Sequence, residues 1–374
     1  MKKIFLCPGI AIFLIAILAS CSQKKTAPLD LRYPREAMQL PRDLAAHDWA
    51  QTEWWYYTGH LKSADGKSYG FELTFFRRRL DTDSFHGMKF DKIVRTAYMS
   101  HFSVTDESTG KFIYQGTAAP EGKMAMALSD KYQVRIGPWQ ASGDDSIHHI
   151  KAALPETAID LELKPSKPAA LHGNNGIVAK GGKMANYYMS YTRLGISGKL
   201  VFEGKEMEVT GLGWFDHEYG FMGFTPDVGW DWFSIQLDDN TEYMIYAIRR
   251  PDKSIEPLSK ACRIDPQGKE TCVPYNQAQI NPLGSWKSPR TRAKYASGWR
   301  ITIPEFGLDV KLTPAAKDQE FMFLDIAYWE GSCAVEGKPA AGLAYVELVG
   351  YARSQIMGMT NPGKNKQAPT ENSP

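Results

Sequence analysis

The run Trp214-Phe215-Asp216-His217-Glu218-Tyr219 is the densest cluster of titratable and aromatic side chains in this 374-residue sequence. A carboxyl or imidazole held among aromatic rings is partly desolvated, which moves its pKa and suits it to give or take a proton near neutral pH. Asp216 and His217 are therefore the candidate catalytic acid and base. Aromatic faces tolerate positive charge on a bound molecule through their quadrupoles. Trp54, Trp214, Tyr219 and Trp230 are the candidate walls of such a site, and Trp55, Tyr56, His101, Glu218 and Asp231 complete the candidate ligand-binding set. The plainer alternative puts Asp216, His217 and Glu218 in a linker between domains, bonded to strand ends and turn amides.

Other polar residues read more simply. His101 lies in an alternating stretch, residues 97–104, sharing a face with Met99 and Ser103, as an inward-facing, hydrogen-bonded barrel histidine would. His60 and Glu72 line the same barrel as ordinary strand residues, and His148-His149, beside Asp144-Asp145, belongs to a solvated loop. No G-x-S-x-G, H-E-x-x-H, Walker loop or strand-linked G-x-G-x-x-G occurs, so a serine-hydrolase reading is weak. The glycines of residues 173–176 and 181–182 make a mobile loop rather than a phosphate cradle, since no helix follows. Neither a cofactor nor a metal is expected.

The elements that must hold these residues are strands. The chain has 10 Trp, 18 Tyr and 17 Phe with 32 Gly and 22 Pro, the mixture of aromatic strands broken by frequent turns. In Tyr69-Gly70-Phe71-Glu72-Leu73-Thr74-Phe75 the odd positions are all apolar, as one wall of a half-buried sheet requires. Such runs recur every 8 to 12 positions between Trp54 and Tyr351, which predicts an all-β fold of sandwich or barrel type. With 44 Lys and Arg against 42 Asp and Glu, nucleic acid is not an expected partner.

An internal repeat organises the chain. Trp54-Trp55-Tyr56-Tyr57-Thr58-Gly59-His60-Leu61 matches Trp230-Asp231-Trp232-Phe233-Ser234-Ile235-Gln236-Leu237 in character, and residues 71–78 match residues 243–250 with a shared Arg-Arg ending. The offset falls from 176 to 172 across a hairpin turn, the place where divergent copies of one unit tolerate length change. Two tandem β-domains follow, over residues 47–225 and 226–354, dividing near residues 224–229.

The ends read as export and anchoring. Lys2-Lys3, a ten-residue apolar run over 10–19 and Leu18-Ala19-Ser20-Cys21 form a secretory signal too short to span a bilayer. Its ending resembles a bacterial lipobox, which implies cleavage after residue 20, acylation of Cys21 and a tether over residues 21–46. What remains carries 42 basic and 42 acidic side chains. The partner so implied is a membrane surface reached through the lipid anchor. Ser22 lacks the inner-membrane retention Asp of enterobacterial lipoproteins, which favours the outer membrane, facing the periplasm, where the cell has one. Residues 355–374, rich in Pro, Asn and Lys, are expected to be disordered. Cys262 and Cys272, ten apart across Asp265-Pro266-Gln267-Gly268, are the natural disulfide pair. Three buried thiols, with Cys333, are an equally plain reading.

After the tether the chain resembles the AttH and carotenoid-hydratase-like family. The resemblance rests on Glu53-Trp54-Trp55-Tyr56, Ser100-His101-Phe102, Tyr187-Tyr188-Met189-Ser190-Tyr191, Gly213-Trp214-Phe215-Asp216-His217-Glu218-Tyr219-Gly220, Gly229-Trp230-Asp231-Trp232-Phe233 and Tyr328-Trp329-Glu330-Gly331 with residues 342–351. It implies two lipocalin-like barrels, and members range from alkene hydratases to bacterial lipoproteins labelled as secreted hydrolases. Asp216, His217 and Gly220 match the hydratases' Asp-His-Asn-Trp-Gly segment, whereas Glu218 and Tyr219 depart from it. The strand in which the hydratases place a catalytic Asp reads Tyr243-Met244-Ile245-Tyr246-Ala247 here, with no acid. Two functions follow from the resemblance and the aromatic content. One is a lipoprotein that binds a lipid- or polyene-like molecule in an aromatic cavity or inter-barrel cleft. The other is a hydratase, isomerase or hydrolase acting on such a molecule through Asp216 and His217. Family resemblance adds a third idea, association with an envelope transporter complex.

Overall fold

The structure is a computed structural model that describes residues 36–80, 84–85, 88–89, 94–181, 184–221, 228–324 and 326–352. Cys21, the signal, most of the tether and the tail from residue 355 lie outside the described residues. Among the described residues the regular secondary structure is strand, apart from short 3-10 turns at Arg42–Leu44, Tyr275–Gln277 and Pro304–Phe306. The strands make one 13-stranded and one 10-stranded antiparallel sheet, each curling around its own core, with two small hairpins besides.

The repeat read from the sequence occupies the same place in both sheets. Thr52–Ser63 pairs on one side with Ser68–Arg79 and on the other with Lys205–Gly220, the last strand of its sheet. Gly229–Leu237 pairs in the same way with Glu242–Arg249 and with Gly342–Val349, the last strand of the second sheet. Successive strand side chains point to opposite faces. One set, including Trp55, Tyr57, Phe71, Phe75 and Phe215, fills the first barrel, and Phe233, Ile245, Trp299, Trp329 and Val346 fill the second. The intervening residues face the other barrel. There Tyr56, Tyr188, Trp214, Trp232, Met244, Tyr246 and Tyr345 form a third core between the sheets, and the repeat-related Tyr56 and Trp232 meet edge to face at 5.3 Å.

Several expectations change once the strands are laid out. Asp216, His217 and Glu218 lie within Lys205–Gly220, not in a linker. His148 is not in a loop: it begins the strand His148–Ala153, is fully buried, and its Nδ1 is 2.8 Å from the Tyr57 hydroxyl. His101, His60 and Glu72 do not face their own barrel's interior. They sit on the outer face of its sheet, pressed against the second barrel, where His101 bonds Tyr328 and His60 stacks edgewise on Tyr345. The stretch read as tether through residue 46 is folded from Met38 on, with Leu44 fully buried and its carbonyl accepting the Trp55 indole N–H at 3.0 Å.

Cys262 and Cys272 stand directly opposite in a hairpin and are joined as a disulfide, leaving Cys333 as a buried thiol. Closing so short a loop restricts the unfolded chain modestly, so reduction, or Cys272→Ser, should lower stability by about 2–3 kcal/mol. Urea melts with and without reductant read this directly; equal midpoints would contradict it.

Candidate functional site

The aromatic layer between the barrels concentrates acid groups. Asp216 projects into it and accepts hydrogen bonds from Trp214 Nε1 at 2.6 Å, Tyr188 Oη at 2.6 Å and the Ser190 hydroxyl. Tyr188 in turn accepts from the Trp232 indole at 3.3 Å. From the second sheet Glu330 accepts from Tyr56 Oη at 2.6 Å, and Glu347 accepts from Trp230 Nε1 at 2.7 Å. Glu72 accepts from Thr74 Oγ1 at 2.5 Å.

Burial decides the protonation state of these carboxyls. An unpaired ion in such a layer costs several kcal/mol, whereas retaining a proton costs about 1.4 kcal/mol per pH unit above the usual pKa. Burial accordingly raises all four: Glu72 to about 8, with repulsion from Glu347; Glu347 to about 7; Glu330 well above the ordinary range, with repulsion from Glu347 and Glu72; and Asp216 against the pull of its three donors. Two other buried acids are compensated. Glu242 lies between Lys167 and Arg193 at 2.7 and 2.5 Å, and Glu320 accepts from Thr291, Tyr295, Ser288 and Arg290.

Glu330 stands out for its hydrogen bonding. Tyr56 occupies Oε1, while the buried Oε2 has no hydrogen-bond partner. A protonated carboxyl in that state carries an O–H free to donate. The same layer holds further buried atoms without a hydrogen-bond partner, Thr58 Oγ1, His101 Nε2, Ser332 Oγ and Tyr345 Oη. His101 is pushed down to about 3 by burial, so it is neutral. A hydrogen-bonded chain also reaches the layer from its rim: Glu270 Oε1 lies 2.5 Å from His172 Nδ1, His172 Nε2 lies 2.7 Å from Ser190 Oγ, and Ser190 bonds Asp216.

Strand alternation divides the residues picked from the sequence. Trp54, Tyr56, His101, Trp214, Asp216, Glu218 and Trp230 lie on the inter-barrel side. Trp55, His217 and Tyr219 point into the first barrel, so the expected Asp216–His217 acid–base pair is not one site: a sheet separates the two side chains. Asp231 points into the second barrel, paired with Arg249 and the Tyr351 hydroxyl rather than with the neighbouring tryptophans. Glu218 accepts from Asn186 at 2.9 Å. Sequence reasoning missed Glu330, Glu347, His172 and Ser190 as site residues. Their signal was position: each acid falls two residues from an inter-barrel aromatic, Glu330 after Tyr328 and Glu347 after Tyr345.

His217 belongs to a second cluster at the mouth of the first barrel. Its Nε2 is 3.1 Å from Glu53 Oε1, and the same oxygen is 2.8 Å from His47 Nδ1. Burial pushes Glu53 up, but the hydrogen bonds and charge of His217 and His47 outweigh it and hold Glu53 at about 2. His47 stacks on Tyr219 at 3.6 Å, His217 stacks on Trp55 at 5.0 Å, and a cleft of about 250 Å³ opens beside His47, Asp43, Trp49, Tyr187 and Tyr219.

With this geometry the chain can be set beside known proteins. A family model described as AttH-like matches residues 32–351. The crystal structure of an AttH protein from Nitrosomonas europaea is similar at 30% identity, covering 87% of this chain and 100% of that one, with a TM-score of 0.76. Kievitone hydratase from Nectria haematococca is similar in fold, at 16% identity, 84% and 93% coverage and a TM-score of 0.65. No curated protein matches.

Proposed function

The chain belongs to the AttH-like family, and from that premise we propose that it binds an apolar, lipid- or polyene-like molecule between its barrels and transfers a proton to it from a buried carboxyl, as hydration or isomerisation of a double bond requires. The observation that carries this reading is Glu330, fully buried and with one oxygen unengaged, where burial pushes its carboxyl toward the acid form. Protonating an alkene needs an acid whose proton is not already shared and a surround that excludes water until the cation has formed. Tyr56, Trp214, Trp232 and Tyr345 provide that surround. Lipidated Cys21 would hold this activity at a membrane surface, facing the periplasm where an outer membrane is present.

The test starts from the full chain, purified in mild detergent from its own envelope, with native mass spectrometry and extraction of whatever co-purifies. Glu330→Gln keeps the Tyr56 contact and removes the acid. Turnover of the extracted molecule should fall by about 10²–10⁴-fold, the usual contribution of general acid catalysis, with affinity unchanged within about threefold. An unaltered molecule retained equally by both forms would make the protein a carrier; turnover unaffected by the substitution would remove Glu330 from the chemistry.

A further inference from the structure

The mouth of the first barrel holds groups that the inter-barrel chemistry does not use, separated from Asp216 by the sheet itself. We propose that His47, Glu53 and His217 form a binding site for a divalent transition-metal ion. Nδ1 of His47, Nε2 of His217 and a Glu53 carboxylate oxygen all lie within 4.8 Å of one another. Ligand atoms around a tetrahedral ion with bonds of about 2.1 Å are about 3.4 Å apart. The observed contacts of 2.8 and 3.1 Å to Glu53 Oε1 are shorter than that by about 0.6 and 0.3 Å, so the ligands would open slightly around an ion. Two imidazoles and one carboxylate suit zinc and its neighbours, not calcium or magnesium.

The ligands come from elements that fix them independently. Glu53 and His217 are fully buried on paired strands, facing residues Tyr219 and Trp55 in register. The folded N-terminal segment brings His47 over them, its own backbone N–H donating to Glu53 Oε2 at 3.0 Å. Beyond the ligands, Asp43 Oδ1 lies 3.8 Å from His47 Nε2, and Arg42 Nε holds Asp43 at 2.6 Å. A carboxylate behind the outer ring nitrogen is the usual way a ligating histidine is oriented. Arg77 is 3.7 Å from Glu53 Oε2 and also holds Asp48 at 3.0 Å, so it secures one carboxylate oxygen and leaves Oε1 to the imidazoles. The carboxylates Glu36, Asp43, Asp48 and Glu53 outnumber the guanidinium groups of Arg42 and Arg77 that pair with them, leaving the cluster receptive to a cation. His47 also borders the cleft of about 250 Å³, which gives an ion a path from solvent and room for water or a small ligand beside it.

The test needs no substrate and does not depend on the inter-barrel proposal. The full chain, stripped with chelator and carrying no affinity tag, is titrated with Zn²⁺ alone by calorimetry, and with Co²⁺ for its visible spectrum. One ion per chain is expected, with Kd at or below the micromolar range, with Co²⁺ bands of nitrogen–oxygen ligation and with Zn²⁺-induced shifts of two histidine ring resonances. His47→Gln should weaken binding at least 100-fold, and Asp43→Asn, which removes only the orienting carboxylate, by 10–100-fold. Should His47→Gln fail to fold, the wild-type histidine shifts and Asp43→Asn carry the decision. No saturable site, or wild-type affinity in both folded variants, would overturn the proposal.

Discussion

Replacing Glu72 and Glu347 together by glutamine should stabilise the protein at pH 8 and leave it nearly unchanged at pH 5. Both carboxyls are raised in the folded state, to about 8 and about 7, chiefly by burial. A raised folded pKa means that the unfolded chain ionises first. The stabilising contribution is whole below the unfolded value near 4.5 and is lost as pH climbs to 7 for Glu347 and to 8 for Glu72. At about 1.4 kcal/mol per pH unit each, the loss across that window reaches several kcal/mol. Glutamine keeps the donor that a protonated carboxyl presents and cannot ionise, so the variant's curve should be the flatter one. His47, raised by Asp43 and Glu53 against its burial, also weakens the fold toward high pH, which is why the difference between variant and wild type is the quantity to read. Glu53, held at about 2, acts in the opposite window, losing its contribution only in acid. Urea midpoints from pH 5 to 8 test the point; parallel curves for the two proteins would refute it.

The second large effect is expected where charge is matched rather than withheld. Glu242, from the second barrel, is fully buried against Lys167 and Arg193 of the first, and Lys167 also bonds the Asn240 and Asp265 carbonyls at 2.8 and 3.1 Å. Glu242→Gln strands two buried cations, and breaking a buried pair in this way costs about 3–5 kcal/mol. Because the cluster joins the barrels, the loss should fall on their coupling, so that tryptophan fluorescence and far-UV dichroism no longer report one transition in urea. Replacing Lys167, Arg193 and Glu242 together by Met, Leu and Leu should recover most of the stability. A single-variant effect below about 1 kcal/mol would show that the pair only offsets its own desolvation.

Much of the architecture was legible because a strand's period of two is a strong signal. The alternation of Tyr69, Phe71, Leu73 and Phe75 places all four inside the first barrel, and the Trp54 and Trp230 runs occupy equivalent strands. The all-β class and the family follow from the same residues. The site was less legible because closeness in sequence is not closeness in a sheet. Asp216 and His217 attract attention as neighbours, yet pleating sends them to opposite faces, while Glu330 and Glu347 reach Asp216's side from more than 100 residues away. His148 was misread because Asp144 and Ser146 form a polar turn just ahead of it and mask the strand that follows. Cys262 and Cys272 were resolved by register, which no residue count supplies.

The pairing of Tyr56 with Trp232 across the layer also bears on how the halves live together. Two copies of one unit that meet through corresponding faces have the geometry of an isologous dimer, the commonest arrangement of identical subunits. The chain is thus built like a homodimer whose protomers have been fused. A true homodimer must change both sides of its contact at once, whereas fusion lets one copy carry Tyr56 where the other carries Trp232, and Thr58 where the other carries Ser234. Either half alone would expose a broad aromatic and acidic face to water, so the fusion is also what keeps that face covered.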